Sequence, residues 1–334
     1  MAKRSKRNYG MKKMEPAPTR WTLATASIPA GTFDGSGNLI EPGRITQFFD
    51  CSQIASLLNR RFYRQGLGWV IGNITVLSQS NMQGGLTIST MPTTWPAYQA
   101  YKAAFQAWNR QQMEAVEESG AESAVAAFRD FKVYLDTDHV AAGFGANLLP
   151  TDSQGNNPIL GEWEASQIVI PNAGAPGTND ERFLHLVGTN FNNPGASRGI
   201  IEGYADSRAF PQSPDPVSPN LDSTNNWMSQ MFDVGDNIGD VLDNATDRND
   251  NLPYDQINYP GGETNMPATQ IMDFGYITST TIGGTTRFQG GIVPCGLVRL
   301  DLFNETNTAQ NVILQFDVAS GTHRGYMCEK MLEA

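Results

Sequence analysis

The sequence has few of the residues that metal sites and disulfide scaffolds use. Its 334 residues include three cysteines and three histidines. The cysteines, Cys51, Cys295 and Cys328, are far apart, without the paired spacing of zinc ligands or the density of a disulfide-bonded domain. We therefore expect three reduced thiols, no bound metal and no cofactor.

Catalytic motifs are missing as well. The sequence contains no HExxH, no GxSxG, no P-loop and no glycine-rich dinucleotide fingerprint. Of the three histidines, His139, His185 and His323, only His139 has acids close to it, in the stretch "DTDH". That stretch is more typical of a turn closed by aspartate hydrogen bonds than of a catalytic site. We therefore expect that the protein is not an enzyme.

Long apolar runs are also absent, and this limits the location of the protein. No stretch of about 18 apolar residues could span a membrane, and the opening residues lack the apolar region of a secretory signal. With 40% hydrophobic and 17% charged residues, however, the chain can bury a large core. We expect a globular protein that is neither secreted nor in a membrane.

The residues that are abundant predict an all-β fold. The 33 glycines and 19 prolines, spread among many Asn, Thr and Ser, are typical of strands joined by turns and loops. Because there is no βαβ alternation, the pattern favours a single jelly roll, which is a two-sheet antiparallel β-sandwich, with inserted helices and long loops. The predicted strands are 20–28, 44–50, 68–81, 84–91, 131–136, 161–171, 182–188, 199–206, 270–280, 290–304 and 311–320.

Helices interrupt this pattern at three places. A short helix is predicted at 51–62, and a longer one at 95–118, where aromatic residues recur at helical spacing and should pack in the core. A further helix is predicted at 124–131. We therefore divide the chain into a basic arm (1–17) and one jelly-roll domain. The domain boundaries are 18–334, with a helical insertion at about 95–131 and a loop-and-helix excursion at about 207–268.

The excursion contains a predicted helix with one acidic face. Its aspartates are Asp233, Asp236, Asp240, Asp243, Asp247 and Asp250. A helical row points its carboxylates in parallel and does not wrap them around one calcium ion, and no DxDxDG loop is present. A solvated acidic face is therefore favoured over a metal site. Contact with basic residues of a neighbouring subunit is a third alternative.

Positive charge is scarce except at the start of the chain. The first 13 residues hold six basic side chains and no acid. These are Lys3, Arg4, Lys6, Arg7, Lys12 and Lys13. The chain has 23 basic and 34 acidic residues, so the remainder has 17 against 34 and a net charge of −17. The arm fits a nucleic-acid-binding segment or a nuclear localisation signal better than a membrane-surface patch, because it lacks an apolar face and a lipidation motif.

The arm and two later segments resemble one known family. Together with "ISTMPTTWPAYQAYKAAFQAW" and "GGIVPCGLVRLDLFN", the arm is similar to that of capsid proteins from small circular single-stranded DNA viruses that encode a replication initiator. The resemblance implies an icosahedral shell of this chain around a single-stranded DNA genome, with the arm inside. It also implies location in the virion and, during assembly, in the host nucleus, with the import machinery as a further partner.

The resemblance carries over only to the six arm residues, and this arm is shorter and less basic than many in the family. Arg60, Arg61 and Arg64, in "NRRFYRQ", are therefore further candidates for genome contact on the inner surface, with surface solubility as the alternative. Two other classes stay open. They are a carbohydrate-binding or hydrolytic β-sandwich, and a phage or bacterial structural protein such as a tail or shell component.

Overall fold

The computed structural model describes residues 16–79, 81–120, 130–171, 175, 177–188, 197–208, 268–278 and 284–333. The six arm cations, the aspartate row and almost all of the helix predicted at 124–131 lie outside the described residues. The same holds for most of the predicted excursion at 207–268.

Strands make up most of the regular structure in the described residues. In chain order they are β1 (Arg20–Ala24), β2 (Thr32–Phe33), β3 (Leu39–Glu41), β4 (Gly43–Asp50), β5 (Leu67–Ser78), β6 (Gly84–Thr90), β7 (Gln167–Pro171), β8 (Asn179–His185), β9 (Ser197–Gly199), β10 (Gln270–Ile277), β11 (Thr285–Gln289), β12 (Ile292–Val293), β13 (Leu297–Asn304), β14 (Val312–Val318), β15 (Ser320–Gly321), β16 (Gly325–Tyr326) and β17 (Cys328–Lys330). The α-helices are α1 (Cys51–Asn59), α2 (Trp95–Glu118), α3 (Thr137–Ala142) and α4 (Ile200–Arg208). Single turns of 3₁₀ helix are at Phe144–Ala146, Pro294–Gly296 and Met331–Glu333.

Two antiparallel sheets dominate the architecture. In the first sheet the strand order is β1-β14-β5-β11, and β12 and β17 also pair with the beginning of β5. The order in the second sheet is β10-β6-β13-β4. Smaller sheets are formed by β2-β3, β7-β8-β9 and β15-β16, and only the β8-β9 pair among the named strands is parallel. The prediction of a mostly β protein with antiparallel sheets is confirmed.

The main core lies between the two large sheets. Alternate side chains of β14 point inward, so Leu314 and Phe316 are buried against the second sheet. From that sheet Phe49 and Leu300 are buried in the same core, and the ring centroids of Phe49 and Phe316 are 4.7 Å apart. Each such side chain contributes about 1.5–3 kcal/mol on burial. The period-two pattern of the strands therefore holds the two sheets together as a sandwich.

A second core forms under the long helix α2, whose bounds agree with the prediction. Tyr101 and Trp108 are buried there, and both rings pack against Phe131, with centroid separations of 5.7 and 5.3 Å. The expectation that the aromatic residues of this helix are core residues is confirmed for these two. The strand predicted at 131–136 is wrong, since only Tyr134 forms a β-bridge there, to His185.

Other predicted boundaries also differ; the strand predicted at 161–171, for example, begins at Gln167. The strand predicted at 199–206 is helix α4, because Ile200 and Ile201 are buried in the core that also contains α2, and this tertiary packing outweighs their β propensity. The helix predicted at 51–62 ends at Asn59, since Arg60 adopts the left-handed conformation with φ 52°. Strand β11 is not predicted because its sequence, TTRFQ, has one buried apolar residue, Phe288.

A buried carboxylate joins the sandwich to α1. Asp50 ends β4 and caps α1, and its Oδ1 accepts hydrogen bonds from the backbone N–H groups of Ser52 (2.8 Å) and Gln53 (3.4 Å). Its Oδ2 accepts from Gln65 Nε2 at 2.9 Å, and Gln65 Oε1 accepts from the N–H of Val133 at 2.6 Å. Burial raises the pKa of Asp50 to about 6, in spite of these hydrogen bonds.

The neighbouring imidazole of His139 is also buried and is held as the neutral form. Its Nδ1 accepts from the N–H of Leu135 at 3.1 Å, so Nε2 carries the hydrogen that pairs with Asn147 Oδ1 at 2.9 Å. Burial lowers the pKa of His139 to about 4. Asp136 caps α3 by accepting from the N–H of His139, so "DTDH" begins a helix and forms the expected local aspartate hydrogen bond.

We predict that His139 makes stability depend on acid pH. Between its unfolded pKa of about 6.5 and its folded pKa of about 4, only the unfolded state binds the proton, so the free energy of unfolding falls as the pH falls. Relative to a His139→Gln variant, whose side chain does not titrate, the loss should approach about 3 kcal/mol near pH 4. Chemical denaturation of both proteins from pH 7.5 to 4 measures the difference, and parallel profiles would contradict the prediction.

Candidate nucleic-acid interface

The loop that follows α1 separates its basic side chains from its apolar ones. Arg60, Arg61 and Arg64 are exposed, whereas Tyr63 and Gln65 are buried. The left-handed backbone at Arg60 ends the helix and turns the chain, and this conformation is unfavourable for a residue with a side chain. The hydrogen bonds of Gln65 then anchor the far end of the loop. All three predicted arginines are therefore exposed, and of the three Arg64 lines the cavity described below.

A second segment, more than 250 residues later in the chain, adds further cations to this surface. Arg324 Nη1 donates to the carbonyl of Phe62 at 2.7 Å, and its guanidinium lies 6.0 Å from the ring centroid of Tyr63. The hydroxyl of Tyr63 donates in return to the carbonyl of Arg324 at 3.0 Å. In the adjacent β17, Lys330 pairs with Leu67 at the beginning of β5. Arg324 and Lys330 carry no local sequence signal that would have linked them to the loop.

The two segments surround an open cavity of about 570 Å³. The cavity is lined by Phe62, Tyr63, Arg64, Gln65, Gly66, Leu67, His323, Arg324, Lys330 and Leu332. Segments 60–66 and 323–330 together hold five arginines and lysines and one carboxylate, that of Glu329. The sign of the local charge is thus opposite to that of the acidic body. We call the five cations, Arg60, Arg61, Arg64, Arg324 and Lys330, the basic rim.

The chain that leads from the basic arm enters the body close to the basic rim. The carbonyl of Pro18 accepts a hydrogen bond from the hydroxyl of Tyr326 at 2.8 Å and another from Trp21 Nε1 at 3.1 Å. The ring of Tyr326 packs against that of Tyr63, with 5.7 Å between centroids, and Tyr63 lines the cavity. The six arm cations precede Pro18 by 5 to 15 residues. The covalent connection therefore tethers the arm beside the basic rim.

Comparison with protein-family models, with curated proteins and with solved structures finds no match. The geometry of the basic rim therefore carries the functional argument. None of the helices in the described part of the chain is long and apolar enough to cross a membrane.

Other candidate sites have less support in the described residues. There, His, Cys, Asp and Glu side chains form no group of three that could hold a metal ion. All three cysteines are free, with Cys51 and Cys295 buried and Cys328 half-buried, and burial raises the pKa of Cys328 to about 12. These thiols are therefore protonated and poor nucleophiles near neutral pH.

We predict that the arginines of the loop bind phosphate groups without reading bases. Replacing Arg60, Arg61 and Arg64 together with alanine should weaken binding of the full-length protein to a single-stranded oligonucleotide. It should also lower the slope of log K against log salt by about 2, since each lost phosphate contact removes about 0.7. Fluorescence anisotropy across a salt series measures both effects.

The matched control for this triple variant removes three cations from segments other than 60–66 and 323–330. Lys102 and Arg110 are on α2 and Arg287 is on β11, and their joint replacement with alanine should leave the slope unchanged. An equal loss of slope in the two variants would show that the binding is diffuse and does not involve the basic rim.

Proposed function

We propose that this chain is a viral capsid protein, which assembles into a small closed icosahedral shell and packages circular single-stranded DNA. The observation that carries the proposal is the position of Pro18, from which the chain leads back to the arm. In an otherwise acidic β-sandwich, the chain that leads to the arm is hydrogen-bonded beside the basic rim. A strong polyanion can therefore approach one side of the body and is repelled by the rest of it.

The strand order supports the jelly-roll part of the proposal. Without the short strands β12 and β17, the two main sheets have eight strands, which are, from first to eighth along the chain, β1, β4, β5, β6, β10, β11, β13 and β14. First pairs with eighth, second with seventh, third with sixth and fourth with fifth. Rolling up one long antiparallel ribbon generates this pairing, which is that of the jelly roll found in viral capsids and in lectins.

The charge distribution favours the capsid over the lectin alternative. A fold alone does not determine function, so the choice rests on a site. Glycan binding does not require a cluster of positive charge beside a basic arm on an otherwise acidic body. Packaging of a genome does require such positive charge. One arm with six cations binds weakly by itself, but many copies that converge inside a shell bind one polymer together. The same cations suit recognition by the nuclear import machinery.

We predict that the body assembles without the arm. Nearly all apolar residues of the sequence follow the arm, so the contacts between subunits should lie in the body. A chain that lacks residues 2–13 should form closed particles of the same diameter as those of the full chain, by electron microscopy and sedimentation. Only soluble monomers from the shortened chain would contradict this prediction.

We also predict that the arm determines the nucleic-acid load. Changing all six arm cations to alanine should give particles with a clearly lower ratio of absorbance at 260 nm to that at 280 nm, because the phosphates lose their counterions. The control keeps the six cations but shuffles the order of residues 2–13, and it should package normally, since phosphate contacts carry no sequence information. A normal load in the neutralised particles would assign genome binding to another part of the chain.

A further inference from the structure

The outward face of the second sheet has a cluster of aromatic rings. In one row across the sheet, Tyr276, Gly85, Phe303 and Arg44 are neighbours on β10, β6, β13 and β4. Gly85 lets the two rings meet, because a Cβ atom there would lie 2.5 Å from the ring of Phe303. The ring centroids of Tyr276 and Phe303 are 5.7 Å apart, and Phe274 is 5.2 Å from Tyr276. The rings thus form one continuous surface.

This surface is exposed to a degree that is unusual for large apolar side chains. On the edge strand β10, Ile271 is 62% exposed, Phe274 48% and Tyr276 59%. An aromatic side chain buries about 150–250 Å² when it is covered, so the three residues together leave roughly 300 Å² open. A standard interface buries about 800 Å² on each partner, of which a little over half is apolar. These three residues alone would supply more than half of that apolar area.

The charges near this surface argue against a polyanion as its ligand. The guanidinium of Arg299 forms ion pairs with Asp136 at 2.6 Å, Asp138 at 2.8 Å and Asp301 at 2.9 Å. This cluster of one arginine and three aspartates therefore has a net negative charge. Among the described residues of this face, the other cation is Arg44, which lies 5.8 Å from the ring centroid of Phe303 and forms no ion pair with a described carboxylate. A mixture of aromatic residues and arginine with a polar rim is typical of the centre of protein interfaces.

The edge of β10 is less suited to contact than its face. The ladder between β10 and β6 is irregular between Ile271 and Asp273, and such bulges disfavour edge-to-edge pairing of strands. The Asp273 carboxylate accepts from the N–H groups of Phe274 (2.8 Å) and Gln289 (2.6 Å), which ties the edges of the two sheets together. A partner is therefore expected to cover the aromatic surface and not to extend the sheet.

We propose that the surface formed by Ile271, Phe274, Tyr276, Phe303 and Arg44, the β10 face, binds the same face of a second copy of this chain across a two-fold axis. The inference rests on the proposed function, which requires self-assembly. Copies with a large negative charge repel each other, and they can meet most easily where apolar side chains dominate. In an isologous contact each partner contributes the same surface, so these residues would supply more than half of the apolar area of a standard interface on both sides.

Charge reversal at one position tests the two-fold relation. In an isologous contact, residue 274 of one chain lies near residue 274 of the other. Two Phe274→Asp chains, or two Phe274→Lys chains, therefore bring like charges together. Each variant alone should associate at least about 30-fold more weakly than the native chain. An equimolar mixture of the two variants should recover association. Sedimentation velocity over a range of protein concentrations measures all three, with circular dichroism to verify that each variant is folded.

The control is Ile313→Asp, a similarly exposed position (43%) on the outward side of the first sheet, which should associate like the native chain. If native chains form particles and both Phe274 variants do so equally well, the β10 face is not a contact, while the proposed function stands. Loss of association without recovery in the mixture would contradict the two-fold arrangement. Native chains that stay monomeric at all concentrations would overturn both proposals.

Discussion

The buried carboxylate of Asp50 is the interaction on which the arrangement of the described structure depends. It lies where the second sheet ends and α1 begins, and its three N–H donors come from α1 and from Gln65. Gln65 donates to and accepts from the backbone of Val133, so its amide has one orientation, and that orientation directs Nε2 at Asp50. A buried carboxylate needs such donors, because an unsatisfied charge in the interior is costly. The sandwich, the basic loop and the segment beneath α2 are thus joined at one group.

The consequence for the basic rim is geometrical. Because Gln65 is fixed at one end of the loop and Asn59 closes α1 at the other, the residues between them have little freedom, and the buried Tyr63 takes the inward position. The arginines are left with the outward positions. Arg324 then stacks on Tyr63 and donates to Phe62, so a distant segment is added to the same surface. The positive charge of the basic rim therefore comes from the short basic run at 60–64 together with core packing, which adds Arg324 from a distant segment.

Much of the sandwich was predictable because its information is local. Helix α2 has Pro96 in its first turn and Gly120 after its end, and seven of the eight main strands overlap segments with period-two alternation. The helical state of Ile200 and Ile201 was not predictable, since it depends on packing in the core beneath α2. Arg60, Arg61 and Arg64 were predicted as a group, but their neighbours Arg324 and Lys330 were not, because their proximity depends on the pairing of β17 with β5.

Strand β4 relates the two surfaces to each other. It carries Arg44 of the β10 face near its beginning and ends at Asp50, and α1 then leads directly to Arg60 of the basic rim. Six residues separate Arg44 from Asp50, which corresponds to about 20 Å of extended strand. Tyr276, Phe303 and Arg44 form a row at the beginning of β4, whereas α1 leads from the end of β4 to the basic loop, so the centre of the proposed contact and that loop are connected to different ends of one strand. In the proposed function, contact with a second copy and contact with a polyanion use different residues of one chain, because neither the cavity lining nor the basic rim shares a residue with the β10 face.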